Sequence, residues 1–73
     1  MTNLRHFRQE KELTQADMAK RLGISQPLLA QVELGDRKPY RKLLKKAAVI
    51  LRIPYSALEP DLRQWKRKDY ERN

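Results

Sequence analysis

Apolar residues return along this chain every three or four positions, and nowhere in the strict alternation that marks a half-buried strand. The first run, from Leu4 to about Lys11, puts Leu4, Phe7 and Lys11 on one face with Arg8 beside it, and Asn3 stands ahead of it as a helix cap. Thr14 caps a second helix, Gln15 to Leu22. Asp17 in its first turn suits the positive end of the dipole, and Ala16, Met18, Ala19 and Leu22 are available to a core. Gly23 closes it in the left-handed conformation that glycine tolerates best. Two residues later Ser25 caps a third helix, Gln26 to about Leu34, with Leu29 and Val32 three apart, Ile24 as a hydrophobic staple and Gly35 at its end.

A fourth helix is predicted from about Tyr40 to Leu51, with Leu44, Ala48 and Leu51 on one face and Leu43 and Ala47 beside them. Ile53 and Leu58 bracket a short fifth helix after Pro54. Pro60 suits the first turn of a sixth, in which Leu58, Leu62 and Trp65 recur at i, i+4 and i+7. Beyond Trp65, Lys66-Arg67-Lys68 is polar and expected to fray. The β-branched residues are scattered singly, so the predicted fold is all-α: a compact five-helix domain over residues 1–58, followed by a basic helical extension over 59–73.

Composition narrows what such a domain can do. Seventy-three residues make one small domain, with room for neither a second core nor a catalytic lid. Seventeen Lys and Arg against nine Asp and Glu leave a formal charge of +8, which favours a polyanionic partner, nucleic acid before an anionic membrane surface. With no cysteine and one histidine, His6, there is no disulfide framework, thiolate nucleophile or zinc cluster, and a reducing compartment fits. His6 reads as an exposed helix residue. No segment approaches the ~18 apolar residues of a membrane span, so a cytoplasmic, nucleoid-associated protein is expected, neither exported nor embedded.

The most informative stretch is residues 14–34: a helix, the turn Gly23-Ile24-Ser25 and a second short helix, the signature of a helix-turn-helix whose second helix presents one face outward. Around it, Arg8, Leu13-Thr14-Gln15, Ala19, Leu22-Gly23-Ile24-Ser25-Gln26, Glu33, Gly35, Arg37, Pro39, Leu44, Ala48, Leu51 and Leu58 stand at the spacing of a known family. From Leu4 to Leu58 the chain resembles the lambda-repressor-like (XRE-type) helix-turn-helix regulators, which include the phage repressors and Cro proteins.

That resemblance implies a role for each matching position. Gln15 binds a DNA phosphate, together with Thr14 and Ser25, and braces Gln26. Gln26 reads a base in the major groove, where an amide matches the N6 and N7 edge of adenine. Gln31 matches a further contacting position. Pro27 stands where the family usually carries a polar residue, and Leu28 and Ala30 are apolar where polar residues are common. Pro27, Leu28 and Ala30 then either touch thymine methyl groups or mark a face that has lost part of its polar readout. Leu34 replaces an asparagine often found before the glycine. Arg8 and Glu33 match the family's structural ion pair between the first and third helices. A lone carboxylate among basic residues is a poor general acid, so the chain is read as no enzyme, and no cofactor or metal is expected.

A charge run is ordinarily a solvated face, but Arg37 and Lys38, with Arg41, Lys42, Lys45 and Lys46 along one flank of the fourth helix, lie just past the recognition helix. Arg37, Lys38 and Arg41 are the first candidates to grip phosphate, with Lys42 and Lys45 behind them and Lys46 simply solvated. Leu58, Leu62 and Trp65 are candidates for a dimer contact, against packing on their own core. The function expected is a DNA-binding transcriptional regulator, a repressor that binds double-stranded DNA as a homodimer on a pseudo-palindromic operator. The alternatives are a protein-interaction module, antitoxin-like or a bridging factor, that docks a partner through Pro27, Leu28 and Ala30, and a binder of polyanions without sequence preference.

Overall fold

Three of the helices begin at a hydroxyl. In the computed structural model, which describes residues 2–65, α1 spans Asn3–Glu10, α2 Gln15–Leu22 and α3 Gln26–Leu34. One free first-turn amide of each is taken up by Thr2 Oγ1 (from Arg5 N–H, 3.2 Å), Thr14 Oγ1 (from Asp17 N–H, 3.0 Å) and Ser25 Oγ (from Leu28 N–H, 3.2 Å). The first cap is therefore Thr2, and not Asn3 as the sequence predicted. Thr2 is the extended residue at this helix start, which puts Asn3 inside the first turn. There the Asn3 amide Nδ2 instead donates to the Ala57 carbonyl at 3.1 Å. The longer α4, Arg41–Leu51, follows an extended Tyr40 that makes no side-chain cap bond. A single 3₁₀ turn, Tyr55–Ala57, leads into α5, Glu59–Arg63.

The ends of α1 to α4 share one device. The backbone turns through a left-handed residue, Glu12 (φ 58°), Gly23 (75°), Gly35 (84°) or Arg52 (58°). The amide one residue further on reaches back five positions: Leu13 to Arg8, Ile24 to Ala19, Asp36 to Gln31 and Ile53 to Ala48, each at 2.9–3.2 Å. This closes the last turn and satisfies a carbonyl that would otherwise be orphaned. In three of these turns the residue past the bend is apolar, and Leu13, Ile24 and Ile53 all lean on the core.

That core draws on α1 to α4. Leu4 comes from α1, Met18, Ala19 and Leu22 from α2, Leu29 and Val32 from α3, and Leu43, Leu44, Ala47, Ala48 and Leu51 from α4. Ala16 is exposed. At about 100° per residue it lies to one side of the face that Met18, Ala19 and Leu22 bury, roughly 110° from its centre, which corrects the expectation that it would be a core residue.

The last helix among the described residues, α5, and the residue before it close the bottom of the core. Leu58 is fully buried, 0% exposed, and Leu62 packs against the same core. Leu58 is thus removed from the expected dimer contact, because its surface is spent inside its own subunit. Asp61 reaches from α5 to the start of α1, its two carboxylate oxygens accepting the Asn3 and Leu4 amides at 2.8 Å each. The Trp65 indole Nε1 donates to the Gly35 carbonyl at 3.1 Å, tying the segment after α5 to the turn after α3. The expected fraying beyond Trp65 lies outside the described residues.

Candidate nucleic-acid interface

The short turn through Gly23, Ile24 and Ser25 sets α3 against α2, and the pattern of α3 decides what it shows. Leu29, Val32 and Glu33 are buried, while Gln26, Pro27, Gln31 and Leu34 are exposed. Leu28 is half-buried and packs against the core, so it sits to one side of the outward face to which the sequence reading assigned it.

Behind that face runs a chain of polar contacts. Glu33 is 1% exposed and Arg8 8%. A carboxylate that dry needs a counter-charge and donors for its lone pairs. Arg8 supplies two bonds, Nε to Oε2 at 2.6 Å and Nη2 to Oε1 at 3.1 Å, and its Nη1 goes to the Leu13 carbonyl at 2.7 Å. Gln15 Nε2 donates to Glu33 Oε1 at 3.1 Å. Only the nitrogen end of an amide can face a carboxylate in this way, so the Gln15 oxygen must point outward. There it accepts from Gln26 Nε2, at a longer 3.4 Å. Thr2 Oγ1 donates to the Glu33 carbonyl at 3.0 Å and ties the same turn to the chain start. The family resemblance implied the pairs Arg8–Glu33 and Gln15–Gln26 separately. That Glu33 joins them was not legible, because nothing in a sequence says which way an amide is turned.

Thr14, Ser25 and Gln15 stand at the starts of α2 and α3, with both hydroxyls at the surface. Arg37, Lys38, Arg41 and Lys42 are all exposed on the loop after α3 and the first turn of α4, and the buried Pro39 anchors the loop between them. Further along the same flank the cations have partners. Lys45 Nζ lies 5.9 Å from the centre of the Tyr55 ring, within reach of a cation–π attraction. Lys46 Nζ donates to the Leu22 carbonyl at 3.2 Å and so neutralises the negative end of α2. Lys46 is therefore not simply solvated; its partner lies 24 residues away in the chain. His6 is exposed, its Nε2 3.3 Å from Glu10 one turn on.

Residues 4–58 match the family model described as helix-turn-helix. The chain belongs to this family, the XRE-type helix-turn-helix proteins. It is 40% identical over 57 residues to a Bacillus subtilis (strain 168) protein named uncharacterized HTH-type transcriptional regulator YazB, covering 78% of this chain and 83% of that one. With YqaE of the same organism, named in the same terms, it shares 43% over 51 residues, 70% of this chain and 44% of the relative. With the ImmF control region 10 kDa protein of Bacillus phage phi105 it shares 36% over 52 residues, 71% and 58% of the two chains. No solved structure matches it. Membership carries a general assignment, a DNA-binding transcriptional regulator. The matched segment stops at Leu58, so the Asp61 and Trp65 anchors belong to the part of this chain beyond it. Among the described residues, no helix is long and apolar enough to cross a membrane.

Proposed function

We propose that this chain is a sequence-specific repressor that binds a pseudo-palindromic operator as a homodimer and acts by occupying it. Each subunit lays α3 in a major groove, with half-sites about one helical turn apart. The observation that carries the reading is the relay from the buried Arg8–Glu33 pair through Gln15 to Gln26, which holds one amide on the exposed face of α3. A side chain held in place before binding loses little freedom on meeting a base edge. Gln26 and Gln31 read bases. Thr14, Gln15, Ser25, Arg37, Lys38, Arg41 and Lys42 hold phosphates, with Lys45 joining when it leaves the Tyr55 ring. Residues 1–58 carry DNA binding and 59–73 carry the dimer contact, for which Leu62 and Trp65 remain after the burial of Leu58. This is a cytoplasmic, nucleoid-associated role and needs no cofactor.

Selection of bound duplexes from a random DNA pool at near-physiological salt, followed by sequencing, tests the proposal. The expected product is a motif of two inverted half-sites about ten base pairs apart. Tight binding at low salt with no enriched motif overturns it, and leaves phosphate attraction or a protein partner as the use of this surface.

A further inference from the structure

The outward face of α3 has an unusual order. At about 100° per residue, Gln26, Ala30, Leu34, Pro27 and Gln31 follow one another around roughly 140° of the helix. Two amides therefore flank an apolar strip. The only ionisable side chain on α3 is Glu33, which is buried and fully engaged with Arg8 and Gln15. Leu34 carries the strip to the end of the helix and is 61% exposed, far more than its size favours in water.

We propose that this face reads an A·T-rich half-site, with thymine C5-methyl groups packing on Pro27 and Ala30 and adenine edges taking the Gln26 and Gln31 amides. The inference rests on the DNA-reading role proposed above and names what is read. Guanine is met most often by Arg or Lys at O6 and N7, and cytosine by a carboxylate at N4; the exposed part of α3 has none of these. Thymine offers the only methyl group in the major groove, and adenine the donor and acceptor pair that an amide matches. The surroundings favour this occupant over an apolar protein surface. Arg37, Lys38, Arg41 and Lys42 follow α3 directly and are exposed, as phosphates flanking a groove require.

The test uses the full chain and the duplex recovered by selection, with single thymines replaced by deoxyuridine, which removes the C5-methyl group and keeps the base pair. The expected half-sites are A·T-rich, and each contacted thymine loses about fourfold in affinity on replacement, the worth of burying one methyl-sized group. Pro27→Ser is expected to remove most of that loss at one position while the chain keeps its melting temperature. A G·C-rich motif, or an A·T-rich one indifferent to deoxyuridine at every position, overturns this inference and leaves base reading intact. Failure to enrich any motif overturns base reading itself.

Discussion

At the scale of single residues, Glu33 links a buried ion pair to the exposed face of α3 through Gln15 and Gln26. Its carboxylate is 1% exposed and takes bonds from both Arg8 and Gln15. The pair's net contribution to stability is small, because two charges lose their hydration, but removing one partner strands the other. Arg8→Ala is expected to lower stability by about 3–5 kcal/mol, a large share of what so small a domain has, measured as a fall in the urea midpoint at constant slope. A loss below about 1 kcal/mol would mean that water reaches Glu33 and that the relay has no dry anchor.

At the scale of elements, the four helix ends separate what the sequence announces from what it hides. Gly23 and Gly35 were legible as left-handed turns because glycine pays no steric cost there. Glu12 and Arg52 adopt the same conformation without that signal, since the closing bonds and the burial of Leu13 and Ile53 outweigh the strain. Replacing the exposed Arg52 with glycine is accordingly expected to raise stability by about 0.5–1 kcal/mol, several degrees in melting temperature, whereas an unchanged or lower value would show that Arg52 is not strained.

The hydroxyl caps of α2 and α3 were legible for the same local reason as the glycines. The first cap was misplaced by one residue because Thr2 and Asn3 are both good caps, and a long-range partner, the Ala57 carbonyl, decides between them. The Asp61 cap on α1 lay beyond any local rule, since its partners are 57 and 58 residues away. Asp61→Ala frees two amides at once and is expected to cost about 1–2 kcal/mol in thermal or urea unfolding; an unchanged midpoint would mean that water serves those amides as well. Leu58 shows a different limit. Spacing at i, i+4 and i+7 identifies an apolar stripe, but does not say whether the same subunit or another copy covers it.

At the scale of the whole molecule, the proposed function gives the charge of +8 and the geometry of α3 separate jobs. The cations after α3 draw in any duplex, so affinity is expected to fall linearly in log salt, with a slope of about −0.9 for each phosphate neutralised. In the proposed function, discrimination lies with uncharged side chains held by the buried relay. The arrangement that this proposal uses was partly legible: the family resemblance pointed to Gln15, Gln26 and the Arg8–Glu33 pair, which are joined in the structure, and the charge run pointed to Arg37, Lys38, Arg41 and Lys42, which are exposed. The parts that were not legible, the engagement of Lys45 and Lys46 and the half-burial of Leu28, depend on neighbours in space.

In the proposed function Gln26 reads sequence while the basic flank supplies affinity. The most direct test compares Gln26→Ala and Lys38→Ala with the unaltered chain on the selected duplex and on a scrambled one, across a salt series. Gln26→Ala is expected to lower the preference for the selected duplex by about 1–3 kcal/mol and to leave the scrambled duplex unaffected, while Lys38→Ala weakens both alike and flattens the slope by about one. Equal losses on both duplexes for the two variants would contradict it, since Gln26 would then contribute no more than another contact to the backbone.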